Sequence, residues 1–79
     1  MRISELAKES GASTDLIRYF ETKGFINPRL VRIRTRKVRD YSQEQVELVK
    51  LIVEYIDEGF RHDTAYTKAV DHINNPRLV

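Results

Sequence analysis

Between Arg29 and Arg39 the chain carries six cations and no acid: Arg29, Arg32, Arg34, Arg36, Lys37 and Arg39. Guanidinium and ammonium groups at this density pair with the phosphates of a polyanion, and a guanidinium can also fork onto a guanine edge. The formal net charge of the whole chain is only +2, so everything outside this stretch sums to −4. The basicity is local, as expected of a small domain that meets nucleic acid on one side. A second polar set lies just upstream. Thr14, Arg18 and Thr22 recur at helical spacing and share one face, with Tyr19 beside them. Arg18 can read a base edge or clamp a phosphate, and Tyr19 can donate its hydroxyl to a phosphate.

Other chemistries lack their residues. There is no Cys, so no disulfide, thiolate nucleophile or thiolate metal site can form. His62 and His72 stand ten positions apart without an acid cluster, and no metal or other cofactor is expected. No Ser-His-Asp set, paired carboxylates or Gly-rich phosphate loop is recognisable, which argues against an enzyme. The longest apolar run, Leu51-Ile52-Val53, is far short of a membrane span, and the N-terminus has no signal region. The expectation is a cytoplasmic, nucleoid-associated protein with no membrane partner. With 79 residues, 41% hydrophobic and 33% charged, the chain should form one folded domain.

The elements that would position these groups follow from local pattern. Ser4 is a candidate cap for a first short helix with Ile3, Leu6 and Ala7 on its apolar face. Ser10-Gly11-Ala12 breaks it, and Ser13 can cap a second helix that buries Leu16, Ile17 and Phe20. Gly24 ends that helix. Ala7, Gly11 and Ile17 fall where a helix-turn-helix needs a small residue at the crossing, a glycine in the turn and a β-branched inner residue. From Leu30 to Arg34 the chain alternates as a strand, with Val31 and Ile33 on one side and Arg32 and Arg34 on the other. Thr35-Arg36-Lys37 is the expected tip, and Val38 to Tyr41 the returning strand. Ser42 and Gln45 form a capping box for a third helix, with Tyr41 stapled onto Val46. A fourth helix is predicted from His62 to Asn74, burying Tyr66, Ala69, Val70 and Ile73, with Asn74-Asn75-Pro76 as its stop. The reading is mainly α: helix-turn-helix 3–24, a two-stranded hairpin wing 28–41 and a helical pair 42–74.

Six blocks in register resemble the N-terminal domain of MerR-family transcription regulators. They are Ile3-Ser4-Glu5-Leu6-Ala7-Lys8, Gly11-Ala12-Ser13, Ile17-Arg18-Tyr19-Phe20-Glu21, Lys23-Gly24-Phe25-Ile26, Arg39-Asp40-Tyr41-Ser42 and Gly59-Phe60. The resemblance covers about residues 2–73. It implies a winged helix-turn-helix followed by a helical pair that carries a second wing, and sequence-specific binding of double-stranded DNA. Ser13 to Thr22 would be the recognition helix in the major groove, and Arg29 to Tyr41 the wing on backbone and minor groove. The DNA-binding residues so implied are Ser13, Thr14, Arg18, Tyr19, Arg32, Arg34, Arg36, Lys37 and Arg39. Homodimerisation through a segment beyond these residues, cooperative assembly on DNA and contact with RNA polymerase are the further partners implied. The chain departs from the family pattern at Phe20 (usually Tyr), at Lys37-Val38 (usually Gly-Tyr) and at Arg61-His62-Asp63 (usually a Ser or Thr cap), where Asp63 is the substitute cap. An excisionase-like recombination accessory protein, which bends DNA with a small winged helix, is the alternative. If about five cations reach phosphates, the log–log salt slope of binding should be near −4 to −5.

Overall fold

The computed structural model describes residues 1–75. The order of elements is α1 (Ile3–Ser10), α2 (Thr14–Thr22), β1 (Arg29–Ile33), β2 (Arg36–Asp40), α3 (Gln43–Asp57) and α4 (His62–Asn74). Four helices and one antiparallel hairpin make this a mainly α, winged helix-turn-helix.

Local hydrogen bonds explain most of the boundaries. Ser13 caps α2, its Oγ accepting from the Leu16 amide at 3.1 Å. The α2 end is a Schellman closure: Gly24, at φ 80°, donates to Glu21, and Phe25 donates to Phe20 at 2.8 Å. The Phe20 and Phe25 rings, 5.8 Å apart, supply the apolar contact that goes with this closure. The same closure ends α3, where Phe60 donates to Tyr55 and their rings meet edge to face. Ser42 and Gln45 form the full capping box of α3. Tyr41, just ahead of the box, is buried in the same cluster as Val46.

Two expected caps are corrected. Ser4 lies inside α1; the N-cap is Arg2, which makes no side-chain cap bond. The helix starts early because Met1 is held to the end of the hairpin. Its carbonyl accepts from the Tyr41 amide at 2.8 Å, and its amino group donates to the Tyr41 carbonyl at 2.9 Å and to Asp40. Likewise Asp63 is not the cap of α4. Arg61 holds that position in extended backbone, because the closure at Gly59-Phe60 leaves it no room for a longer lead-in. Asp63 sits in the first turn, where the helix dipole still favours its charge.

The core is built from Leu6 of α1, Ile17 and Phe20 of α2, Val46, Val49 and Ile52 of α3, and Ala65 and Ala69 of α4. Ala12, Ile26 and Tyr41 join it from the connections. Ala65 and Ala69, one turn apart, let α4 lie close on α3. That close approach shifts the buried face of α4 from the expected one. Tyr66 and Val70 are only half-buried, and Ile73 is 43% exposed. Pro76, the expected stop, lies outside the described residues; within them Asn75 closes the helix by donating to Asp71.

The hairpin tip is also corrected. Arg34-Thr35 form the turn, while Arg36 and Lys37 belong to β2. The register pairs Val31 with Val38, Arg32 with Lys37 and Ile33 with Arg36. This pairing puts Val31 opposite Val38 on one face, which an apolar contact across the strands rewards. The turn then has two residues, and Arg34 adopts φ 57°.

Candidate nucleic-acid interface

Directly paired residues of an antiparallel hairpin project from the same face, and neighbours along a strand from opposite faces. The register therefore sorts the wing. Leu30, Arg32, Lys37 and Arg39 share one face; Arg29, Val31, Ile33, Arg36, Val38 and Asp40 share the other. The second face looks toward the start of α1: Val31, Ile33 and Val38 line a groove with Met1, Arg2 and Glu5. Val31 and Val38 are half-buried there, but Ile33 is 48% exposed, so it is not the core residue that its alternation suggested.

The first face looks toward α2. The Arg39 Nε donates to Glu21 Oε1 at 2.6 Å, and the Tyr41 hydroxyl donates to Glu21 Oε2 at 3.3 Å. Arg18, Glu21 and Thr22 of α2 line one wall of an open groove, with Arg39 and Tyr41 on the other and Ile3 between. The groove has a volume of about 390 Å³. Arg32 and Lys37, cross-strand partners on the Arg39 face, extend this cationic wall toward the wing tip.

The Glu21 carboxylate raises the Arg39 guanidinium above its already high ordinary value, by the hydrogen bond first and by its charge second. Burial pushes the Tyr41 phenol up, and the nearby Glu21 charge adds to it. At the outer end of β2, the Met1 amino group holds the Asp40 carboxyl below the usual carboxylate range.

The α2 residues fall as follows. Ser13 is exposed and committed through its Oγ to the cap; Thr14 is half-buried. Arg18 is exposed and lies 3.5 Å from Asp15, a surface pair that holds it weakly. Tyr19 is 40% exposed, with its ring centroid 5.1 Å from that of His62. Arg18 thus lines the same groove as Arg39 of the wing. Arg36 faces away from it, and Arg34 sits in the turn. The sequence marks Tyr41 as a staple and gives no sign that Glu21 joins it to Arg39 of the wing. Nor does it signal that His62, beside Arg61 at the start of α4, supports Tyr19. Nothing in local pattern signals contacts made at such separation.

A basic hairpin packed by an ion pair onto the second helix of a helix-turn-helix is the geometry of a DNA-binding domain. Residues 1–68 match the family described as MerR HTH family regulatory protein. The chain belongs to the MerR family. No curated protein sequence matches it. As a MerR regulator it is a DNA-binding protein that controls transcription, and MerR regulators act through DNA rather than by catalysis. Among the described residues no helix of this MerR domain is long and apolar enough to cross a membrane. No cluster of three His, Cys, Asp or Glu with metal-site geometry occurs among them.

Proposed function

We propose that this MerR domain reads double-stranded DNA in a sequence-specific way through α2 and holds its backbone with the wing. Thr14, Arg18 and Tyr19 take the major groove, with Ser13 at the entry of the helix. Arg32 and Lys37 follow phosphates on the α2 side of the wing, and Arg34 at the turn reaches the minor groove. Arg36 is assigned to the backbone beyond the turn, because its face differs from that of Arg32 and Lys37. Two copies on an inverted repeat, working with RNA polymerase at a promoter, complete the reading. The observation that carries it is the groove lined by Arg18 of α2 and Arg39 of the wing, with Arg32 and Lys37 on the same hairpin face as Arg39.

The test is a gel-shift titration of the 79-residue chain at several salt concentrations, on the best duplex selected from a random pool and on a scrambled one. Tight, salt-dependent binding with a clear preference for the selected duplex is the expected result. Absence of binding at low salt overturns the reading. Selection of tandem direct repeats in place of an inverted repeat overturns the two-copy, inverted-repeat arrangement.

A further inference from the structure

A carboxylate at the centre of a surface meant for phosphates needs a physical reason. Glu21 stands in the last turn of α2, inside the groove between recognition helix and wing. It lowers the positive potential there, so its presence costs affinity for any duplex. Its two oxygens serve two different elements: Oε1 takes the Arg39 Nε of β2 and Oε2 takes the hydroxyl of Tyr41, the residue just before the α3 cap. Of the six hairpin cations, Arg39 alone forms an ion pair among the described residues. The Glu21 side chain is 23% exposed and Tyr41 is buried, while the Arg39 side chain is 57% exposed, so the carboxylate is held in place by the fold and the guanidinium meets it from the solvent side.

We infer that Glu21 is a specificity-determining residue: it fixes the wing to the recognition helix through Arg39 and Tyr41, and it withholds Arg39 from phosphates. The inference rests on the helix-and-wing reading above. A wing free to swing could settle its cations on any duplex, whatever α2 meets. A wing pinned at Arg39 reaches phosphates well only when α2 is seated in its groove in register. The carboxylate thus lowers affinity for every sequence but lowers it more for the wrong ones.

Glu21→Gln tests this, since the amide keeps the shape and an acceptor for Tyr41 while removing the charge. The readouts are the salt slope and the ratio of affinities for the selected and scrambled duplexes. Glu21→Gln is expected to strengthen binding to the scrambled duplex and steepen its slope by about 0.9, one added phosphate contact. The preference for the selected duplex should fall on the order of tenfold. Arg39→Ala alone should lower that preference without flattening the slope. Added to Glu21→Gln, it should return the slope to its original value.

If Arg39→Ala alone flattens the slope by about 0.9, Arg39 is an ordinary phosphate ligand and the inference fails. It fails also if Glu21→Gln weakens both duplexes equally with an unchanged slope, the result of a purely structural role. Melting curves of each variant separate lost fold from lost discrimination. Arg32→Ala and Lys37→Ala run in parallel: if they too leave the slope unchanged, the wing reading itself is what has failed.

Discussion

Tyr19 of α2 and His62 of α4 stand with ring centroids 5.1 Å apart and planes tilted by 57°. An exposed phenol on the proposed DNA face is thereby steadied by a different helix. Tyr19→Phe keeps the ring contact and removes the hydroxyl. It should cost about 1 kcal/mol of DNA affinity, as for one lost hydrogen bond, with little change in melting temperature. His62→Ala should weaken binding while Tyr19 itself is intact. Unchanged duplex affinity in both variants, read by gel shift, would remove Tyr19 from the interface.

Arg18 and Arg32 are assigned different work, and binding to a panel of single-base operator variants can tell them apart. Arg18→Ala should relax base preference at one position and cost about 1–3 kcal/mol on the best duplex. Arg32→Ala should weaken all sequences by a similar factor and reduce the salt slope by about 1. Equal losses on every sequence from both variants would contradict the division.

The face assignment of the wing can be tested by charge removal on each side. Arg32 and Lys37 are cross-strand partners on the side of α2, whereas Arg36 pairs with Ile33 on the opposite side. Arg32→Ala and Lys37→Ala are each expected to reduce binding more than Arg36→Ala. A larger effect at Arg36 would reverse the face that meets DNA.

Arg34 occupies the turn with φ 57°, a region that costs a side chain on the order of 1 kcal/mol and costs glycine almost nothing. Arg34→Gly should therefore raise the melting temperature by several degrees, about 4–8 °C per kcal/mol in a domain of this size. The same change removes a cation, so DNA affinity should fall as stability rises. A melting temperature that drops would show that the turn does not hold this conformation.

Tyr41 gives the chain an alkaline limit. Its folded pKa lies above the ordinary value of 10.0, through burial first and Glu21 second. Below about 10 its contribution to stability is fully present; as pH rises through the folded value that contribution is lost. In an ultraviolet titration Tyr41 should ionise above the ordinary phenol value, and unfolding should accompany it. Tyr41→Phe should remove the late ionisation and leave the Arg39–Glu21 bond in place.

Features made by residues a few positions apart were legible in the sequence. The Ser42–Gln45 capping box, the Ser13 cap and the Gly24 closure each depend on hydrogen bonds within one turn of helix, so residue type and spacing suffice to specify them. The helices and the basic hairpin follow from periodicity in the same way. Tertiary structure decided what spacing cannot encode. The N-cap moved from Ser4 to Arg2 because Met1 bonds to Tyr41, and the turn settled at Arg34-Thr35 because Val31 faces Val38 across the strands. Ile73 stayed exposed because two alanines drew the face of α4 toward α3. The bond from Arg39 to Glu21, 18 positions apart, turned one of six similar cations into a link between wing and recognition helix. Charge and alternation place a basic strand on a surface, but only packing determines which way each of its side chains faces.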